Sequence, residues 1–360
     1  MEIKDILVIN PGSTSTKIAV FSKDNETKLF EKNIVHDEQR ILSFPTIIDQ
    51  DQYRKQMIID FLAEENYDMT NLTAVVGRGG MAYELEGGGY RVNQKLCDRM
   101  GSSEIPSHAS SLGAVLAFQL AEPLGLPSYI YDSTMGCDLL EIAKITGING
   151  IEKYGAIHLL NSRAQAIRYA ESIGKSYQDL RAIICHMGGG ITVNAQVNGK
   201  AIDTSGYDEG PMSPERSGGM PLLLFNKLAF SGKYNEKEVA TMISGKGGLY
   251  SYLSTKNCIE IEGRIKDGDE YAQMIYEAMA LQVAKAIAGL SCTLKGDVDV
   301  IILTGGIAHS KMLTDMIKGY CQHIGKIVVM GGEVEMEALA GGAIRMLKGE
   351  EETKEYIGRE

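Results

Sequence analysis

Apolar positions in this chain fall into short runs broken by glycine, with longer stretches of helical spacing between them. Residues 6–9 and 17–21 read as the arms of a β-hairpin around a polar turn, and Ile18 and Val20 favour strand. Met57, Ile58, Phe61 and Leu62 recur at helical spacing within 53–66. A strand follows at 72–76 and ends in Gly77-Arg78-Gly79-Gly80. A helix at 107–120 is entered from a loop holding Pro106 and His108, and a short strand at 128–131 ends at Asp132.

A second block repeats the plan. It has a helix at 155–172, a strand at 181–185, the turn His186-Met187-Gly188-Gly189-Gly190, a strand at 191–197 and a tight Asn198-Gly199 turn. An amphipathic helix at 271–293, a buried strand at 298–303 running into Thr304-Gly305-Gly306, a strand at 327–330 and a helix at 335–347 complete it. Strands alternating with helices indicate an α/β class. The strand, turn, strand unit recurs about half a chain apart, so two similar domains facing a shared cleft are expected.

Composition narrows the partners. The 360 residues fit about two domains, and 44% hydrophobic residues fill a sizeable core. A net charge of −11 argues against nucleic acid, whose usual footprint is basic. No segment reaches the ~20 apolar residues needed to span a bilayer. The opening MEIKDILVIN reads as a short apolar run rather than a signal peptide. Six cysteines lack CxxC or CxxH spacing, so reduced thiols in a cytoplasmic protein are expected and a zinc site is not.

The chemistry sits in the turns. Residues 10–17 (NPGSTSTK) place hydroxyls, backbone N–H groups and Lys17 between two strands, a donor set suited to phosphate. A plain hairpin turn needs fewer such groups, and no Walker A loop occurs. His186 before three glycines offers a donor to an oxyanion and a backbone that a phosphate can approach closely. Thr304-Gly305-Gly306 follows a buried strand, where ligands of α/β sheets gather, or simply starts a helix. The polar segment 203–219 carries Arg216, either a group that neutralises a phosphoryl in transfer or a solvated partner of Glu215. Residues 77–82 (GRGGMA) fit a dinucleotide fingerprint, but that motif must open a helix, and three glycines follow instead at 87–89. Arg78 remains suited to gripping a carboxylate or phosphate. Asp132, His108, Glu335 and Glu337, taken alone, read as caps of local structure.

These motifs together resemble the acetate and butyrate kinases, within the acetate kinase, sugar kinase, Hsp70 and actin superfamily. VINPGSTSTKIAVF, VVGRGG, SHASSLGA, YDSTM, HMGGGITVNAQ, DTSGYDEGPMSPERSGG, LTGGIAHS and EVEMEALAGGA run in family order over almost the whole chain. NPGSTSTK and GRGG are most similar to the butyrate kinases. The resemblance implies two ribonuclease-H-like (actin/Hsp70-type) domains with mixed sheets flanked by helices, facing an interdomain cleft that closes by a hinge. Residues 1–154 with 337–360 would form the acid-side domain, and 155–336 the nucleotide-binding domain.

It further implies ATP/ADP and Mg²⁺ as cofactors, a short-chain carboxylic acid as substrate, no nucleic acid or membrane partner, a homodimer or larger homo-oligomer, and a cytoplasmic location. Asn10, Ser13, Ser15 and Lys17 match the phosphate- and metal-proximal turn. Arg78 and Arg216 match the arginines that hold the carboxylate and the phosphoryl group. Asp132, His108 and His186 match active-site residues, and Gly188, Gly189, Gly190, Thr304, Gly305 and Gly306 match nucleotide loops. Asn10 with Glu335, or by a shifted alignment Glu337, matches the metal-associated pair. Residues 255–258 (TKNC) depart from the Asp and Arg that acetate kinases carry on the nucleotide side. Gly79 and Gly80 stand where acetate kinases have bulky valines, so a roomier acid pocket is expected, each extra buried methylene contributing about 0.8 kcal/mol. Acetate or propionate is the nearest alternative substrate. A sugar kinase, or an ATPase switch, is the alternative of a different class.

Overall fold

A computed structural model describes residues 3–22 and 27–358. The chain divides into two compact units: Met1–Gly136 with Val334–Glu360, and Cys137–Glu333. The divisions expected at 154 and 337 fall elsewhere because residues 137–154 bond within the second unit. Cys137 Sγ donates to Gly155 O at 3.1 Å, Leu140 N to Ile202 O at 2.9 Å, and Lys153 Nζ reaches Asp203 at 2.9 Å.

The first unit contains a seven-stranded sheet: β1 (Asp5–Pro11), β2 (Ser15–Phe21), β3 (Lys28–Val35), β4 (Leu72–Arg78), β5 (Gly89–Arg91), β6 (Ser128–Tyr131) and β12 (Thr353–Glu355). Their spatial order is β12-β5-β6-β4-β1-β2-β3. β1 and β2 pair antiparallel, while β4 lies parallel to β1 and β6 to β4. Leu7, Ile9, Ile18 and Val20 pack against Ile58, Phe61 and Leu62 of the Asp51–Glu64 helix and Leu112, Leu116 and Leu120 of the Leu112–Ala121 helix. The Glu335–Lys348 helix packs on β1, β4 and β6. Ile6, Leu7, Val8 and Ile9 are all fully buried, which is why β1 reads as a continuous apolar run rather than an alternating one.

The second unit contains a five-stranded sheet: β7 (Ala182–Met187), β8 (Ile191–Val197), β9 (Lys200–Ser205), β10 (Val300–Gly305) and β11 (Ile327–Gly331), in the order β11-β10-β7-β8-β9. The Glu270–Thr293 helix covers one face through Ile183, Cys185, Val193, Ile301 and Leu303. The Leu159–Ser172 helix covers the other through Ile184 and Ile302. At about 1.5–3 kcal/mol per buried aliphatic side chain, these two layers supply the unit's main stabilisation. Each unit therefore holds an antiparallel three-strand run (β1-β2-β3, β7-β8-β9) with a parallel partner beside its first strand. This is the repeat visible in the sequence.

Local departures have local causes. The helix expected from 155 begins at Leu159, with His158 at its N-cap position. The helix expected from 107 starts as a 3-10 turn, Ala109–Ser111, capped by His108. No helix follows 77–82; β5 does, as the three glycines require. The six cysteines are free thiols, with Cys97, Cys185 and Cys321 buried. Among the described residues no helix is long and apolar enough to cross a membrane.

Candidate active site

In the first unit the strand ends carry the polar groups. Asn10 lies near the end of β1, and Arg78 ends the parallel neighbour β4. Glu335 begins the Glu335–Lys348 helix, where the helix dipole favours an ionised carboxylate. Its Oε2 accepts from Asn10 Nδ2 at 2.8 Å, and its Oε1 meets Arg78 Nη1 at 2.6 Å. Glu337 instead faces Lys28 at 3.3 Å on the surface. Of the two acids, Glu335 is the one held against Asn10 and Arg78. The Arg78 Nε is buried without a partner.

Backbone contact sets the position of His108. A Cβ at Gly77 would lie 2.0 Å from Gly113 O, so only glycine lets the end of β4 touch the start of the Leu112–Ala121 helix. His108 Nδ1 accepts from Ser110 N at 3.2 Å, which leaves the ring proton on Nε2. Burial, and then the Arg78 charge, hold its pKa below the ordinary value. Asp132 follows Tyr131, the register partner of Arg78. It adopts φ 44°, unusual for a residue with a side chain, and its Oδ1 accepts from Gly88 N at 2.8 Å. Its cap-like role and its place beside Arg78 therefore coexist.

The Ser13 and Lys17 side chains are exposed and Ser15 is half-buried. Lys17 is the register partner of Asn10. Beneath this turn lies a residue that sequence reading passed over. Arg54 is 1% exposed and binds the carbonyls of Gly12, Ser13 and Ser15. Its signal was the i, i+4 row Gln50, Arg54, Ile58, which puts a charge on the buried stripe of a helix.

Gly79 and Gly80 correct an expectation. A Cβ at Gly79 would lie 2.6 Å from Ser133 Cα, and one at Gly80, where φ is 72°, would lie 2.5 Å from Met100 Sδ. Ser133 Oγ also donates to Gly80 O at 3.0 Å. The space that a valine would take is filled by the 133–136 turn and Met100. These glycines serve close backbone packing and do not open a pocket.

In the second unit His186 nears the end of β7, with Thr304 its partner on β10 and Thr192 its partner on β8. Asn161 Nδ2 donates to His186 Nδ1 at 3.0 Å and to Thr304 Oγ1 at 3.2 Å. The imidazole therefore keeps its proton on Nε2, which lies 3.7 Å from Glu333 Oε1. His158, also missed in the sequence, stacks on His186 at 3.9 Å between ring centres and reaches Thr192 Oγ1 through Nδ1 at 3.0 Å. Its placement at the entry of a helix is an ordinary cap position, so spacing alone carried no signal.

The glycine turn is pinned by the 213–216 segment. Gly188 N donates to Gly190 O at 3.0 Å, and Ser213 Oγ donates to Gly189 O at 2.7 Å. Arg216 lies across Gly190, where a Cβ would come within 2.2 Å of the guanidinium carbon. The other face of that guanidinium rests on the Tyr207 ring, 4.2 Å from its centre. Its Nη1 is buried without a partner, and burial lowers its pKa. Glu215 pairs with Lys256 at 2.9 Å, not with Arg216. Gly305, at φ 86°, lets β10 touch the Met187 backbone, and Gly306 has open space where a Cβ would stand. The unit thus gathers His186, the three glycines, Thr304 to Gly306 and Arg216 at the ends of β7 and β10. Asn257, in the 255–258 segment, caps the Cys258–Lys266 helix.

Among the described residues no cluster of three or more His, Cys, Asp or Glu is placed to hold a metal. Glu335 offers one carboxylate, already engaged by Asn10 and Arg78. That set fits a magnesium ion held mainly by phosphate oxygens and water, and it does not fit an all-protein cage.

Two mixed sheets flanked by helices, built on repeated hairpins, form an α/β fold that a solved acetate kinase shares. The chain belongs to the acetokinase family, whose sequence model matches residues 142–340, and so to the ATP-dependent carboxylate kinases. An acetate kinase from Porphyromonas gingivalis superposes with a TM-score of 0.81 at 18% identity, covering 96% of this chain and 100% of that one. A propionate kinase from Francisella tularensis subsp. tularensis gives 0.74 at 20% identity, covering 94% and 99%. An acetate kinase from Entamoeba histolytica gives 0.74 at 18% identity, covering 94% and 98%. At these identities the likeness speaks for the fold alone.

Proposed function

We propose that this protein transfers the γ-phosphoryl group of ATP to the carboxylate of a short-chain fatty acid, butyrate or a branched relative, giving an acyl phosphate, and that it runs the reverse reaction toward ATP. The observation that carries this reading is the pair of arginines, Arg78 and Arg216, each with a buried guanidinium nitrogen lacking a partner. Buried donors of that kind call for an anionic ligand. The choice of butyrate rests on the NPGSTSTK and GRGG motifs. The matched acetate and propionate kinases supply the second reading, a two- or three-carbon acid.

A carboxylate is charged at pH 7, its ordinary pKa being about 4, so it attacks phosphorus without a general base. Catalysis then consists of positioning and charge neutralisation. Arg78, steadied by Glu335, orients the acid through its planar fork. His108 and His186 each offer an Nε2 proton as donor. Arg216 neutralises charge on the phosphoryl oxygens in flight. Gly188, Gly189, Gly190, Thr304, Gly305 and Gly306 receive the nucleotide, and Asn10, Ser13, Ser15 and Lys17 the phosphoryl group. Asp132 fixes the strand end beside Arg78 and takes no proton. Magnesium bound with the nucleotide would neutralise its phosphates, with Asn10 and Glu335 the residues to hold its water shell. Acid-dependent ADP release, flat in pH around neutrality, tests the scheme; ADP release that needs a sugar, or none that depends on acid, contradicts it.

One surface supports the homodimer. Residues 219–246 contain no buried residue, and Leu222, Leu223 and Phe230 are 75%, 80% and 84% exposed. Helices of eight and nine residues there, Leu222–Ala229 and Glu236–Ser244, are too short to persist in water unaided. The same apolar face on a second copy closes the contact symmetrically. Light scattering reads the mass, and a monomer at assay concentration contradicts it.

A further inference from the structure

The Gly12 to Thr16 turn owes its shape to a charge that no acid offsets. Arg54 donates through Nη1 to Gly12 O (2.8 Å), Ser15 O (3.1 Å) and Thr16 Oγ1 (2.9 Å), and through Nη2 to Ser13 O (3.3 Å). Nε and Nη2 are steadied by Gln50 Oε1 at 3.0 and 2.8 Å. His36 N takes the remaining carbonyl, Thr14 O, at 2.9 Å. All of these acceptors are neutral.

The consequence follows from peptide geometry. In a trans peptide the carbonyl and the next N–H point in opposite directions. Holding the carbonyls of Gly12 and Ser13 toward Arg54 turns the N–H groups of Ser13 and Thr14 away from it. Among the described residues those two N–H groups donate to no backbone oxygen. A plain hairpin would bond Ser15 N to Gly12 O, but that oxygen is occupied by Arg54. Successive outward N–H groups form an anion-binding concavity. A buried guanidinium is an expensive support for a turn that serves only to reverse the chain.

We propose that Arg54 is a positioning residue that shapes the 12–15 turn into a phosphoryl-binding nest and places an uncompensated positive charge behind it. This rests on the phosphoryl-transfer reading above. Burial pushes the Arg54 pKa down to about 10, so the charge persists at neutral pH. Neighbouring His36 is neutral there, its pKa held to about 4 by burial and then by the Arg54 charge. The proposal separates two contributions: a fork that fixes three carbonyls, and a charge that attracts the anion. Lysine retains only the second.

The test is calorimetric titration of the full chain with MgATP, alongside the acid KM and the melting temperature, for Arg54→Gln, Arg54→Lys and Gln50→Leu. We expect Arg54→Gln to weaken MgATP about 30-fold or more, Arg54→Lys to recover about tenfold of that, and Gln50→Leu to lose roughly fivefold. The acid KM should stay within about threefold throughout. A folded Arg54→Gln variant binding MgATP like the wild type overturns the proposal, as does lysine performing no better than glutamine. An acid KM rising in step with the nucleotide loss also overturns it, because that marks general disruption. Should Arg54→Gln not fold, Gln50→Leu decides by the same criteria. Because the titration needs no turnover, it remains decisive even if no acyl phosphate forms, an outcome that would sink the proposed function instead.

Discussion

The two hairpin turns, between β1 and β2 and between β7 and β8, hold the same topological position in their units and are wired in opposite ways. The first is built of hydroxyl residues, and its cation, Arg54, lies underneath on the carbonyl side. The second is built of three glycines, backed by Asn161, His186 and His158, and its cation, Arg216, lies across the top. In the proposed scheme both turns meet phosphate. A charge beneath a turn shapes backbone donors, whereas a charge above it can face the ligand directly. We propose that the first arrangement serves binding and the second neutralises charge that develops during transfer.

The largest effect that would sharpen this contrast is on Arg216. Arg216→Ala should lower the rate of transfer about 10³-fold or more while MgATP affinity changes less than about threefold. Single-turnover kinetics beside a nucleotide titration checks this, and equal loss of both would place Arg216 in ground-state binding, like the first turn.

Next in size is an acid sensitivity confined to the first turn. His36 has a folded pKa of about 4 against an ordinary 6.5, so between those values the unfolded chain binds the extra proton. Stability is complete above about pH 6.5 and falls as the pH drops toward 4, by at most about 3 kcal/mol. Urea unfolding at pH 7 and pH 5 should show the wild type losing about 2 kcal/mol more than His36→Gln. Equal losses would show that burial of His36 does not perturb its titration.

The smallest effect concerns a glycine that binds nothing. Gly79→Val should destabilise by about 1–3 kcal/mol, since the branch meets the Ser133 backbone, and should leave the ranking of acids unchanged. A stable variant with a narrowed acid range would restore the pocket reading.

The sequence was legible where one residue type has one physical use. The runs 6–9 and 181–185 read as strand, although β7 continues through His186 and Met187, which read as turn, and glycine turns beside them had to approach a ligand or another backbone. Which of the two was not legible: Gly188 to Gly190 lie under Arg216 and the 213–216 segment, while Gly79 and Gly80 lie under Ser133 and Met100. A missing side chain looks like empty space in a sequence and is often filled space in a fold. β3 escaped notice because, as an edge strand, it buries little beyond Ile34. Arg54 escaped because a charged residue is read as solvated unless its helical face is counted. Glu335 and Glu337 differ only in which side of a helix start they occupy, which two residues of spacing cannot say in advance.

The central claim, a kinase acting on a carboxylate, is tested most directly by trapping its product. The chain is incubated with MgATP and hydroxylamine, and acyl hydroxamate is measured across acetate, propionate, butyrate, isobutyrate and valerate. The account predicts hydroxamate that depends on acid and peaks at four or five carbons. A peak at acetate would keep the carboxylate kinase and discard butyrate. No hydroxamate with any acid, from protein that demonstrably binds MgATP, would contradict the account.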